Sequence, residues 1–273
     1  MNAPDYTKQQ NSPDTRSPLR DKPLRNPGQS IREQRFDLFY DKLLAPMLVV
    51  LMFGWYAVME WWRYFFPSSA NPWFFTAIAV VGAIYAVFQA RKVWPRIKAM
   101  KLAEEGEKAV GQFLERLRHE GYYVFHDIVG QDFNVDHVII GPAGVFTVET
   151  KTWKKPKQGK PEIRVEGETL TAGGRTPDRS PVVQAKAQAN WIKGLLSDST
   201  GKKYPVRPVV LFPGWFIEAD RESRKAVWVL EPKALPAFLA QEKELLPPED
   251  IKLANFHLSR FVREQERIIE ASK

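Results

Sequence analysis

Three side chains in one short stretch have the types and spacing for hydrolytic chemistry: Asp136, Glu149 and Lys151. If Gly141 to Gly144 form a four-residue turn between antiparallel strands, Ile140 faces Val145, and counting back along both strands sets Asp136 opposite Glu149. Side chains alternate along a strand, so Lys151 shares the face of Glu149. Like charges directly opposed in a sheet are destabilising. A divalent cation removes that conflict. Mg2+, or Mn2+ in its place, takes hard oxygen donors, commonly one or two carboxylates with water and substrate phosphate completing the shell. Such an ion acidifies a bound water and stabilises charge developing at phosphorus. An ammonium beside it orients the attacking water or neutralises the transition state. The same spacing also suits an ordinary hairpin whose solvated face carries two acids and a lysine.

These residues need a scaffold, and the flanking sequence predicts one. Val110, Phe113, Leu114 and Leu117 recur at helical spacing between Lys101 and Glu120, and Gly121 ends the run. Tyr122 to Ile128, Val135 to Ile140 and Val145 to Thr150 read as strands. A basic, Gly-containing stretch follows to about Ser180, then a helix from Pro181 to Leu196. Val206 to Phe212 and Ala226 to Leu230 suit buried strands, and residues 234–241 and 250–271 read as helices. The order predicts a mixed α/β fold. His137 points away from the Asp136 face by alternation and reads as structural. His119, His126 and His257 lack ligand spacing, which disfavours zinc. The segment from Gly167 to Gly174 lacks the Gly-x-x-x-x-Gly-Lys pattern of a P-loop, so nothing supports ATP hydrolysis. Lys154, Lys155, Lys157 and Lys160, with Trp153 among them, suit either a phosphate track or a solvated loop.

Several separated elements in order carry a family resemblance: Gly106-Glu107 in a helix, Asn134-Val135-Asp136-His137-Val138-Ile139-Ile140-Gly141, then Gly144-Val145-Phe146 and Glu149-Thr150-Lys151. Over residues 103 to 230 the chain resembles the nuclease-related domain (NERD) family, which is similar in its core to the PD-(D/E)XK nucleases. The resemblance implies a central mixed sheet flanked by helices, Asp136 and Glu149 as metal ligands, and Lys151 as the catalytic lysine. It also implies Glu107 as a third acid from the first core helix. Glu107 sits on the stripe of Val110 and Leu114, where a carboxylate is costly unless paired or ligated; in a first helical turn it would simply meet the helix dipole. Gln184, in a Pro-x-x-Gln context, is implied as a support for the attacking water or a DNA contact. The implied activity is metal-dependent hydrolysis of nucleic acid, DNA in preference to RNA.

The net charge of +8 suits nucleic acid, an anionic membrane, or both. Residues 1 to 98 hold 13 basic and 7 acidic side chains and residues 99 to 273 hold 27 and 25, so the excess divides as +6 and +2. With no Cys there are no disulfides, thiolate metal sites or Cys nucleophiles. Residues 1–42 read as a polar, largely disordered tail. Leu43 to Met59 and Pro67 to Ala90 carry no charge, and Trp55, Trp61, Trp62, Tyr64, Trp73 and Trp94 lie at their ends, as expected of a transmembrane hairpin over 43–95. Basic residues flank the outer ends and are missing from the connecting turn, so both termini read as cytoplasmic. Residues 99–230 then form the nuclease-related domain and 231–273 a helical extension. A non-enzymatic, membrane-anchored adaptor that binds nucleic acid or protein is the alternative reading.

Overall fold

The computed structural model describes residues 24–66, 72–130, 133–156, 158–174, 176–177 and 179–271. Lys157, the hairpin turn at 67–71 and the first 23 residues lie outside them. Helix α1 (Gln29–Phe39) runs through a single π-helical segment (Tyr40–Leu44) into α2 (Ala45–Phe65). Helix α3 (Pro72–Leu114) packs back along α2. Both helices are long and apolar enough to cross a membrane, and little of either apolar stretch is buried. Exposed Leu51, Trp55, Val81 and Phe88 give them an outward surface that water would not favour.

The hairpin and the following domain share one helix. Sequence reading placed a boundary between residues 95 and 99, yet α3 continues through Pro95 to Leu114. The second apolar helix and the first core helix are therefore one rod.

Strands β1 (Tyr123–Val129), β2 (Asn134–Gly141) and β3 (Gly144–Thr150) pair antiparallel. β6 (Val206–Leu211) and β8 (Trp228–Leu230) add in parallel, giving the order β1-β2-β3-β6-β8. The sheet is mixed, as expected. Helix α4 (Pro181–Thr200) makes the crossover between the parallel pair β3 and β6, capped by Ser180, whose hydroxyl accepts from the N–H of Val183. The short helices α5 (Arg221–Ala226) and α6 (Leu235–Gln241) precede α7 (Pro248–Ala271).

Alternation sorts the core into two layers. Ile139, Phe146 and Val148 meet Val110 and Leu114 of α3 and Leu235 of α6. Val138, Ile140 and Val145 meet Ile192 and Leu196 of α4 and Leu258 of α7. Asp136 and Glu149 share the parity of the second set, so their strand faces look toward α4.

Two expectations need correction. The basic, Gly-containing stretch to Ser180 is given no strands by its sequence, but Glu162–Glu166 (β4) and Thr169–Ala172 (β5) join Phe216–Ala219 (β7) in a second, three-stranded sheet. Nor is residue 24 onward a disordered tail. Arg25 is buried and its guanidinium binds Asp127 (2.8 Å) and Glu266 (2.6 Å), while Arg35 pairs with buried Glu104 (2.7 Å). These long-range ion pairs join groups far apart in sequence, which no local pattern reveals.

Candidate active site

The hairpin that carries the acids has the expected register: Ile140 pairs with Val145 and Gly141 with Gly144. Gly144 has φ 123°, a conformation that a side chain would strain. The ladder stops at His137 and Val148. One step further the backbone N–H of Thr150 donates to Asp136 Oδ2 (2.7 Å) in place of a main-chain partner.

Lys151 Nζ donates to Glu149 Oε1 (2.5 Å) and to Gln184 Oε1 (3.0 Å). Gln184 Nε2 returns a bond to the same Glu149 oxygen (2.8 Å). The other oxygen, Oε2, accepts from Gln188 Nε2 (2.6 Å), which also donates to the carbonyl of Asn134 (2.9 Å). Gln188 is 1% exposed and was not singled out from sequence. Its signal was its place one turn after Gln184 on the same helix face.

Glu107 reaches the same cleft from the opposite layer. Its position depends on the preceding glycine, because a Cβ on Gly106 would lie 1.7 Å from Thr152 Oγ1. Only glycine lets α3 approach the chain next to Lys151 so closely. Gly106→Ala is expected to cost about 1–3 kcal/mol, the usual penalty of overpacking, read as a lower thermal unfolding midpoint. An unchanged midpoint would show that the contact is not tight.

Burial, together with the nearby charges of Asp127 and Glu149, pushes the Glu107 carboxyl up to about 8. Burial and the charges of Glu149 and Glu107 also raise Asp136 well above the usual carboxylate range, against the N–H of Thr150 and the ammonium of Lys151. Ionised together, these carboxylates would carry more negative charge than the cations beside them compensate. Glu107 makes no hydrogen bond among the described residues. An acid set short of positive charge, with one buried carboxylate unpartnered, fits a hard divalent cation. Among the described residues no three acidic or histidine side chains yet converge on a common point.

A cleft of about 760 Å³ joins these groups, lined by Glu107, Asp127, Asp136, Glu149, Lys151 and Gln184 together with Trp153 and Arg179. The expected basic run is not in the cleft. Lys160 Nζ stands 3.7 Å over the Phe216 ring and Lys155 lies against Gly214, while Lys154 is exposed on the loop between. Lys157 lies outside the described residues. The cations that do line the cleft are Lys151 and Arg179. His137 is buried as expected, 2.9 Å from His126 through their Nδ1 atoms, and burial keeps both rings below the usual histidine range.

Residues 102–213 match the family model described as nuclease-related domain. An uncharacterized protein of Bacillus anthracis is 39% identical over 54 residues, which is 18% of this chain and 26% of that protein's length. Among solved structures, SfsA of Pyrococcus furiosus in complex with Ca2+ aligns with 51% of this chain and 55% of its own at 15% identity, with a TM-score of 0.22. Likeness at that score bears no weight.

Proposed function

Because residues 102–213 match the nuclease-related domain model, we propose that the chain is a membrane-anchored, metal-dependent nuclease that hydrolyses phosphodiester bonds of DNA, and secondarily RNA, at the cytoplasmic face. The observation that carries this reading is the meeting of Asp136, Glu149, Lys151 and Gln184 with Glu107 in one cleft. Asp136, Glu149 and Glu107 would hold Mg2+ or Mn2+. When bound, the ion supplies charge stabilisation to a phosphoryl oxygen and acidifies a water.

The chain's own groups do the rest. Gln184 and Glu149 hold the Lys151 ammonium where it can neutralise charge on the attacked phosphate or orient the incoming water. Gln188 fixes the second oxygen of Glu149 and ties it to the start of β2. Arg179 adds a cation to the lining, and Lys154, Lys155 and Lys160 extend positive charge beyond the cleft. The apolar hairpin over 43–95 supports bilayer anchoring, and basic residues at its outer ends support cytoplasmic termini.

The test is incubation of the full chain in detergent with linear, circular and single-stranded DNA and with RNA, with Mg2+ or with EDTA. Cleavage that needs the metal and disappears in Asp136→Ala is expected. Cleavage that survives both EDTA and the substitution would sink the assignment. The second reading, a non-enzymatic adaptor, draws on the fact that protein donors already occupy both oxygens of Glu149. No cleavage, with equal Mg2+ and Mn2+ binding by wild type and Asp136→Ala, selects the adaptor.

A further inference from the structure

The lining of the cleft includes two kinds of side chain besides its carboxylates Glu107, Asp127, Asp136 and Glu149. Lys151, Arg179 and Gln184 are cationic or polar. Ile31 and Gln34 of α1, Val129 of β1, Gly130 and Phe133 are uncharged. A strand of nucleic acid offers the matching pair of chemistries, phosphates along one side and flat apolar bases on the other.

Phe133 is held in place. Its carbonyl accepts the N–H of Gly130 (2.8 Å), and its ring stands edge-on to Trp191 of α4, centroids 5.0 Å apart, leaving it 39% exposed. Trp191 is backed in turn by Phe261 of α7. An aromatic ring braced by another that is itself backed presents an open face at little entropic cost. Gln184, which binds Lys151, and Trp191 behind Phe133 are seven residues apart on α4, about 10 Å along the helix.

We propose that Phe133, which lines the same cleft as Ile31 and Gln34 of α1, is a stacking site for an unpaired nucleobase, so that the preferred substrate is single-stranded or locally unpaired nucleic acid. Stacking on an aromatic tolerates every base because each has a π-face, and the Gln34 amide can hydrogen-bond a base edge. This inference rests on the nuclease reading and adds a substrate class to it. It also makes the helix preceding the first apolar span part of the substrate site.

The experiment measures binding of fluorescein-labelled single-stranded and duplex oligodeoxynucleotides of one sequence to the full chain, with Ca2+ replacing Mg2+. Phe133→Ala is expected to weaken single-strand binding about 5- to 100-fold, Phe133→Trp to retain it, and duplex binding to change by less than about threefold. Gln34→Glu, which places a negative charge in the α1 part of the lining, is expected to weaken the single strand about tenfold. If wild type cleaves with Mg2+ but Phe133→Ala binds the single strand as wild type does, the stacking site is wrong and the nuclease reading stands. Equal losses on single strand and duplex also overturn it. A wild-type chain that neither binds nor cleaves nucleic acid overturns both.

Discussion

Replacing Lys151 with Ala is expected to lower the rate of phosphodiester cleavage about 10²- to 10³-fold, the range seen when one preorganised group that stabilises transition-state charge is removed. The ammonium is fixed at two points, by Glu149 and Gln184, so it needs no reorganisation as charge develops on the phosphate. Its role is therefore concentrated in the transition state. Single-turnover rates should fall while oligonucleotide affinity stays within about threefold of wild type, the pattern of a lost interaction that binding alone does not use. Lys151→Arg should not restore the rate, since a planar guanidinium cannot reproduce a compact ammonium between one carboxylate and one amide oxygen. A Lys151→Ala chain that cleaves at the wild-type rate would remove the lysine from the chemistry.

The second large effect is on stability. Arg25→Ala is expected to cost about 3–5 kcal/mol, because it leaves a buried carboxylate without its partner. Asp127 is 2% exposed, sits at φ 51°, and its Oδ2 accepts from Arg25 Nε (2.8 Å) and from the N–H and hydroxyl of Ser30 (2.8 and 2.9 Å). Arg25 also reaches Glu266 near the end of α7, so one guanidinium joins the segment before the hairpin to both ends of the domain. A drop of about 6–20 °C in thermal midpoint corresponds to that loss. Adding Asp127→Asn to Arg25→Ala should recover part of it. A midpoint shift below about 2 °C would show that the clasp is not formed. A fragment starting at residue 99 lacks Arg25 altogether, which is why activity is best sought in the full chain.

The hairpin was legible because two glycines set its turn and strict alternation does the rest, so Asp136, Glu149 and Lys151 could be placed on one face from spacing. Glu107 was legible as a carboxylate on an apolar stripe, and Gly106 beside it is explained only by contact with Thr152. Gln188 has only its place one turn after Gln184 as a signal, and that spacing does not distinguish a buried glutamine from a surface one. The second sheet is hard to read because β4, β5 and β7 are short, β4 and β7 carry charged residues at exposed positions, and β7 joins β4 across about fifty residues of chain. The unbroken α3 is not visible in the charge pattern, which changes at Arg91, and Pro95 does not end it, since a proline can remain within a long helix at the cost of one hydrogen bond. The clasp of Arg25 on Asp127 joins residues a hundred positions apart, and no periodicity reports such a pair.

The continuous rod of α3 acts as a ruler. From Arg91, the first charge after the apolar run, to Glu107 there are sixteen residues, about 24 Å of helix. With the hairpin in a bilayer, the acids of the cleft stand no higher than that above the surface. On the proposed reading, cleavage would therefore be confined to a thin shell beside the membrane, and a strand's chance of being cut would depend on how closely it is drawn to that surface.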